Sequence, residues 1–263
     1  MWEWFLLALL GAVVGAIGTF IGAGGGFVLV PALLLLYPRE GADYITGVSL
    51  AVVLANGTSG TLAYMRMRRV DYQAAILFSL ATIPGAVLGS LTVGHVPRRA
   101  FEAVFGALLA LMSIVLLVRA QGRPYAARAP EPAPADPPRP PYQLPAGMAL
   151  SLGVGYVATL LGIGGGTIHV PAMVEVLRFP VHTATATSHF ILMVNALVAV
   201  LSHIATGTYS HGVGRIVALC LGAVGGAQAG AWLSNRVRAR WIVRVLALAL
   251  LSVGLRTLVT ALT

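Results

Sequence analysis

Two glycine clusters carry the strongest chemical signal in this sequence, because each joins contiguous glycines to a following proline inside an apolar stretch. The first reads TFIGAGGGFVLVP from Thr19 to Pro31, and the second reads TLLGIGGGTIHVP from Thr159 to Pro171. Glycine costs about 1 kcal/mol relative to alanine in a helix, and it permits positive φ and close approach of other groups. Each cluster therefore predicts a break in a helix. The glycines concerned are Gly22, Gly24, Gly25, Gly26, Gly162, Gly164, Gly165 and Gly166.

A helix that begins directly after such a break can bind an anion at its N-terminus. Its first N–H groups and the positive end of its dipole face whatever lies before it. Within a bilayer, freed backbone groups are tolerated only against protein or a water-filled cavity. The alternative is that glycines merely let helices pack closely, and we favour that interpretation for the separately spaced ones. These are Gly11, Gly15, Gly85, Gly89, Gly222 and Gly226.

Short polar side chains recur at matched positions after each glycine cluster. Ser49 and Asn56 in the first half correspond to Ser188 and Asn195 in the second. Such groups can donate hydrogen bonds to an anion without a fixed opposite charge, although they can equally join helices, at about 0.6 kcal/mol per bond. Four further candidate binding residues adjoin these motifs in the second half: Thr167, His169, Thr187 and His189.

The histidines and the single cysteine argue against a metal site. His169 and His189 could carry a proton or donate to an anion, because histidine titrates near neutral pH. No His-Glu-x-x-His pattern occurs, and the histidines lack the spacing of a zinc site. Cys220 is the only cysteine, so an intrachain disulfide is excluded. The sequence predicts neither a metal nor a cofactor.

The elements that must position these residues are membrane helices. With 58% hydrophobic residues, 10% charged residues and a mean hydropathy of +0.87, the chain is too apolar for a soluble domain. Several runs approach the roughly 20 residues that cross about 30 Å of hydrocarbon. These runs are Trp2 to Thr19, Val48 to Met65, Tyr72 to Gly94, Phe101 to Val118, Phe190 to Ala205, Ile216 to Ser234 and Trp241 to Ala261.

The charge distribution indicates topology rather than a nucleic-acid partner. The net charge is +9, but the arginines lie in short loops between the apolar runs. Clusters at 66–69, in the segment 119–139 and at 236–240 are all expected on the cytoplasmic side. An even number of crossings must then separate the last two clusters, so the second glycine cluster must form a hairpin within the membrane. The loop of the first half that corresponds to 236–240 is then expected on the outer side of the membrane. The two repeats are therefore predicted to be inverted.

The chain divides into two similar halves. A segment rich in Pro, Ala and Arg cannot bury a core and is expected to form an extended linker. We assign residues 1–120 to the first transmembrane repeat, 121–145 to a cytoplasmic linker and 146–263 to the second repeat. The expected fold is an all-α integral membrane protein with a glycine-broken or re-entrant helix in each repeat.

The two Gly-x-Gly-Gly-Gly-x-x-x-x-Pro segments, the proline-rich linker and the ATATS stretch from Ala184 to Ser188 resemble the TauE/SafE family. This family is also called the sulfite exporter or toluene sulfonate uptake permease family, and the resemblance covers the chain outside the linker. It implies a carrier in the cytoplasmic membrane for sulfur-containing anions such as sulfite or organosulfonates. It points to both glycine clusters and to Ser49, Thr187 and Ser188 as binding residues.

We therefore expect a secondary transporter that works by alternating access around a site near the bilayer midplane. Its partners would be a small anion and the lipid bilayer, without nucleic acid, and the sequence leaves the oligomeric state open. Export of an anion from a negative interior is favourable by about 2.3 kcal/mol per charge per 100 mV, whereas uptake would require protons or sodium. The alternatives are a passive anion channel and a carrier of another small organic anion. An enzyme is not expected, because no nucleophile, base and orienting group share a recognisable spacing.

Overall fold

The protein is all-helical over the part of the chain that the computed structural model describes, which is residues 2–121, 144–234, 251–252 and 254–259. The linker at 121–145, apart from its ends, and the arginine-rich loop at 236–240 lie outside these residues. The helices with full bounds are α1 (Trp2–Ile21), α2 (Gly26–Leu36), α3 (Ala42–Arg66), α4 (Tyr72–Val93), α5 (Arg98–Gln121), α6 (Leu144–Leu160), α7 (Gly166–Glu175), α8 (Val181–Ala205) and α9 (Val213–Leu233).

Five of the described helices, α1, α3, α4, α8 and α9, are long and apolar enough to cross a membrane. The prediction of a multi-pass helical membrane protein is confirmed. Two of these helices begin earlier than the apolar runs indicated, since α3 begins at Ala42 and α8 at Val181. Their first turns contain the polar residues around Thr46 and Thr185, which lowered the local hydropathy without ending the helix.

The chain forms two compact units. The first comprises Met1–His95 with Pro140–Asn235, and the second comprises Val96–Arg139 with Arg236–Thr263. In the second unit, Phe101 and Phe105 of α5 stack with ring centroids 5.7 Å apart. All of the candidate binding residues belong to the first unit.

Small residues let the long helices of the first unit pack at close range. A Cβ atom at Gly15 of α1 would lie 2.5 Å from the carbonyl oxygen of Ala223 in α9. A Cβ atom at Gly89 of α4 would lie 2.6 Å from the carbonyl oxygen of Tyr156 in α6. These contacts agree with the interpretation of the separately spaced glycines as packing residues.

The helices that follow the glycine clusters are short. With 11 residues in α2 and 10 in α7, each spans about 15 to 17 Å, roughly half of the hydrocarbon thickness. At the outer ends of α1 and α2, Arg215 lies 3.5 Å from the Glu3 carboxylate and 4.8 Å from the centre of the Tyr37 ring. At the start of α6, Gly147 packs against Phe78 of α4. The outer ends of α1 and α2 thus lie beside the start of α9.

Candidate functional site

Both glycine clusters form the predicted helix breaks, and they do so with the same backbone conformation. The helices resume at Gly26 and at Gly166, each directly after a glycine in the left-handed region. Positive φ angles occur at matched positions: 81°, 80° and 83° at Gly22, Gly24 and Gly25, and 70°, 77° and 86° at Gly162, Gly164 and Gly165. An L-residue pays about 1–2 kcal/mol in this region, which explains the requirement for glycine.

The two breaks cross each other in direct contact. A Cβ atom at Gly26 would lie 2.5 Å from the carbonyl oxygen of Gly162, and one at Gly166 would lie 2.6 Å from the carbonyl oxygen of Gly22. The first residue of each short helix therefore rests on the break of the other half. We call residues 22–26 and 162–166 together the glycine crossing.

Two equivalent apolar residues fill the middle of the glycine crossing. Val53 of α3 and Leu192 of α8 are each fully buried. Both side chains lie beside both breaks, because each would contact a Cβ atom placed at Gly24 or at Gly164. The long helices α3 and α8 thus pack on the crossing and on each other through these two side chains.

Each long helix also touches the break of the opposite half. The Ser49 hydroxyl on α3 donates to the carbonyl oxygen of Gly162 at 2.6 Å, and the Thr185 side chain on α8 contacts Gly22. Ser188 occupies the position in α8 that corresponds to Ser49, and it is fully buried. Its Oγ atom has no hydrogen-bond partner among the described residues.

The two asparagines bind threonines at the start of the glycine clusters. Asn56 accepts a hydrogen bond from the Thr19 hydroxyl at 2.9 Å and donates to the carbonyl oxygen of Gly24 at 3.1 Å. Asn195 donates to the Thr159 hydroxyl at 3.1 Å. Its Oδ1 atom has no partner in the described part of the chain. Each asparagine therefore links its long helix by hydrogen bonds to the glycine cluster of its own half.

Backbone N–H groups at the glycine crossing remain unused. The first backbone hydrogen bonds of α2 and α7 are made by the N–H groups of Val28 and Ile168, which donate to the carbonyl oxygens of Gly25 and Gly165. Within the described ranges, no acceptor serves the N–H groups that come just before them, on residues 25–27 and 165–167. A buried N–H without a partner is costly, so these groups are suited to a ligand or water.

Unpartnered side chains of the second half adjoin the same region. Thr167 lies in the first turn of α7, and its Oγ1 atom has no partner among the described residues. His169, one turn into α7, contacts the Ser151 hydroxyl at 3.3 Å through Nε2. Its Nδ1 atom lies 3.3 Å from the Cβ position of Gly165 and near the backbone of that residue, but it does not meet hydrogen-bond geometry with a described residue. Polar groups thus face the second break from α7.

His189 is the other buried polar group beside the crossing. Its side chain is 0% exposed and packs on Gly60 and, edge to face, on Tyr64, with ring centroids 5.4 Å apart. The ring lies near the backbone of Gly22, but neither ring nitrogen meets hydrogen-bond geometry with a described residue. The Tyr64 hydroxyl donates to the carbonyl oxygen of Thr19 at 2.8 Å.

The candidate residue Thr187 lies away from this region. Two other residues of the site, Thr19 and Thr159, were not predicted from the sequence. The Thr187 hydroxyl accepts a hydrogen bond at 3.0 Å from the backbone N–H of Asp71, the residue that caps α4. Thr19 and Thr159 were not among the candidates, although both begin a glycine cluster. Their recurrence at the same place in the two clusters was the signal that could have identified them.

The two halves contribute unequally to the site. The first half has Phe27, Leu29 and Leu50 at the positions of Thr167, His169 and His189. These three apolar residues are buried. The unpartnered side-chain atoms of the region, including those of Ser188 and Asn195, therefore all belong to the second half. Among the described residues, no group of three His, Cys, Asp or Glu side chains could hold a metal ion.

Comparison with known proteins identifies the family. The family described as Sulfite exporter TauE/SafE matches residues 7–257. The chain is 32% identical over 263 residues to the "Probable membrane transporter protein YunE" of Bacillus subtilis, covering 95% of each protein. It is 24% identical over 255 residues to the "Probable membrane transporter protein y4hK" of Sinorhizobium fredii, covering 97% of this chain and 95% of that protein.

A more distant relative comes from an archaeon. The "Probable membrane transporter protein MJ0441" of Methanocaldococcus jannaschii is 22% identical over 218 residues, covering 80% of this chain and 77% of that protein. No solved structure matches the chain. The family match extends over both glycine clusters and over the helices around them from residue 7 onward. The chain is a multi-pass membrane transporter that belongs to the sulfite exporter TauE/SafE family.

Proposed function

We propose that this protein carries small sulfur-containing anions, such as sulfite or organosulfonates, out of the cell by alternating access, without converting them chemically. The observation that carries the proposal is the meeting of two helix N-termini with unused, buried N–H groups at the glycine crossing. Such N-termini favour anions through both hydrogen bonds and dipoles. The sulfur chemistry of the substrate follows from the family description.

The proposed direction follows from electrostatics. An anion that leaves a negative interior gains about 2.3 kcal/mol per charge per 100 mV, so export can proceed without a coupling ion. Uptake against the same potential would need protons or sodium. The family description, which names an exporter, agrees with the outward direction.

The proposed mechanism is rocking of two inverted repeats about the crossing. The α1–α2 pair has its outer ends at Arg215, at the start of α9. The α6–α7 pair has its outer ends near Phe78, at the start of α4, because Gly147 and Leu177 both pack there. Hairpins that enter from opposite faces would leave the crossing alternately accessible to each side.

Counterflow in liposomes tests the proposal. Vesicles that hold the purified protein and an internal pool of unlabelled sulfite should take up labelled sulfite saturably and transiently above equilibrium. A passive channel would give no counterflow. Absence of transport for sulfite and for several sulfonates, in correctly inserted protein, would instead favour another small organic anion.

A matched pair of serine variants on α8 then tests the site. Ser188→Ala removes a buried, unpartnered hydroxyl at the position that corresponds to Ser49 and should lower the flux. Ser202→Ala removes a hydroxyl that only donates to the carbonyl oxygen of Val198 in the same helix, at 2.9 Å, and should leave flux unchanged. Equal flux in both variants would contradict the assignment of Ser188 to the binding site.

A further inference from the structure

We propose that the groove between the last turns of α3 and α9 binds an anionic phospholipid, with its phosphate at Arg66 and an acyl chain along the exposed face of α9. The site lies at the predicted cytoplasmic surface of the membrane. It is about 20 Å along α3 from Val53, the residue that fills the glycine crossing. The inference does not depend on which substrate the protein carries.

A cavity of about 240 Å³ lies between the ends of α3 and α9. The Gln228 side-chain amide at this cavity is already used, because it donates to the carbonyl oxygen and to the hydroxyl of Ser59, each at 2.8 Å. Arg66 therefore supplies the charge of the groove. The lining consists of Ala63, Arg66, Met67, Gln228, Ala231 and Trp232.

Arg66 is an exposed cation that forms no ion pair with a described carboxylate. It is the last residue of α3, and Arg68 and Arg69 follow it in the loop to α4. The acidic residue of this loop, Asp71, caps α4 by accepting a hydrogen bond from the backbone N–H of Ala74 at 3.1 Å. This end of the groove therefore has a net positive charge, which attracts an anionic headgroup and repels the cationic part of a zwitterionic one.

The position of Trp232 indicates that the groove lies at the membrane surface. Trp232 is one residue before the end of α9, and its side chain is 55% exposed. Tryptophan is enriched where the lipid headgroups lie, and arginines near helix ends extend toward the same region. A phosphate at this depth can meet the Arg66 guanidinium while its acyl chains stay in the hydrocarbon.

The exposed apolar face of α9 provides a path for an acyl chain from the groove toward the bilayer centre. Val217, Leu221 and Val224 are 50%, 69% and 43% exposed. They share a helix face with Gln228, because the four residues are spaced by three or four positions. From Val217 to Gln228 the helix rises about 16 Å, close to half of the roughly 30 Å of hydrocarbon. This face therefore matches the acyl chain of one leaflet.

A membrane lipid fits this groove better than a soluble phosphate does. An ion pair with a single exposed arginine is weak in water. A lipid adds apolar contact along its acyl chain to the attraction between its phosphate and the arginine. Because the lipid would contact both α3 and α9, its binding should stabilise the packing of these two helices.

Thermal unfolding of lipid-depleted protein in a neutral detergent tests the proposal. Phosphatidylglycerol at about 100 times its Kd should raise the thermal midpoint by about 5–11 °C. Phosphatidylcholine and inorganic phosphate should change the midpoint little. Arg66→Gln should lose the response to phosphatidylglycerol, whereas Arg66→Lys, which keeps the charge, should retain it. The control Arg39→Gln removes another exposed arginine, in the loop between α2 and α3, and should respond like the wild-type protein.

Three results would overturn the proposal. An equal shift with phosphatidylcholine would show that the groove does not recognise headgroup charge, and an equal shift with inorganic phosphate would show a site for soluble anions. A full response of Arg66→Gln to phosphatidylglycerol would place the lipid elsewhere. If Arg66→Gln is less stable than the wild-type protein before lipid is added, native mass spectrometry replaces unfolding. Loss of bound phosphatidylglycerol in Arg66→Gln but not in Arg39→Gln would then support the site, and equal retention in both would refute it.

Discussion

The replacement of Gly26 by alanine tests whether the contact between the two breaks is essential. A Cβ atom at this position would lie 2.5 Å from the carbonyl oxygen of Gly162 and 2.8 Å from the Cα atom of Ile163. Ordinary contacts begin near 3.4 Å, so the two breaks would have to separate by about 0.9 Å. The φ angle of Gly26 is not positive, so backbone strain does not contribute to the effect.

The expected energy follows from two opposing terms. Overpacking of a tight contact costs about 1–3 kcal/mol. Alanine regains at most about 1 kcal/mol over glycine in a helix. We therefore expect Gly26→Ala to destabilise the protein by up to about 3 kcal/mol, or up to about 2 kcal/mol if the full gain in helix propensity is realised. For a chain of this size, each kcal/mol shifts the thermal midpoint by about 2–4 °C.

A control with the same chemical change should move in the opposite direction. Gly153 lies on the exposed face of α6, and a Cβ atom there would meet nothing within 4 Å. Gly153→Ala should therefore raise the thermal midpoint by about 2–4 °C through helix propensity alone. Thermal unfolding in detergent and counterflow in liposomes would be measured for both variants. If Gly26→Ala matched Gly153→Ala in stability and retained full flux, the reasoning about the crossing would be wrong.

Three further substitutions separate structural bonds from binding groups. Ser49→Ala should destabilise the protein by about 1–3 kcal/mol, because it leaves a buried carbonyl of the second break unpaired. Ser188→Ala should change stability by less than about 0.5 kcal/mol, because its hydroxyl has no partner among the described residues. Thermal unfolding of the two variants would show whether this contrast holds. Asn56→Leu removes two buried hydrogen bonds to the first glycine cluster and should lower the thermal midpoint and the flux together, so a stable, active variant would contradict its role. Tyr209→Phe removes a 2.8 Å hydrogen bond to the carbonyl oxygen of Gly47 and should cost about 0.5–1.5 kcal/mol in unfolding measurements, with little loss expected in counterflow.

The amino-acid sequence is enough to predict the class of the protein and the places where its helices break. Long apolar runs require helices in a bilayer, because backbone groups must be satisfied within the segment. Contiguous glycines interrupt such a helix, and the breaks at 22–25 and 162–165 occur where these glycines predict them, whereas Pro31 and Pro171 lie inside α2 and α7. The repeat of Ser49 and Asn56 as Ser188 and Asn195 likewise placed polar groups on matching faces of α3 and α8.

The starts of α3 and α8 were harder to predict, since hydropathy measures transfer into lipid and not helix formation. Thr46 and Ser49 lie within α3, although they lower the apolar average of its first turns. Their side chains face protein rather than lipid, so the membrane imposes no penalty on them. The boundaries therefore depend on which neighbour covers each polar face, and a single segment does not contain that information.

Which residues come into contact depends on how the helices pack. Ser49 donates a hydrogen bond to the break of the opposite half, 113 residues away, and Gly26 rests on the same Gly162. Thr187 and Ser188 are neighbours in sequence, but successive helical residues point about 100° apart, so the Thr187 hydroxyl binds the start of α4, whereas the buried Ser188 hydroxyl has no hydrogen-bond partner among the described residues. Spacing along the chain identifies residue types on one helix face, whereas the partner across that face is fixed by the packing of helices distant in sequence.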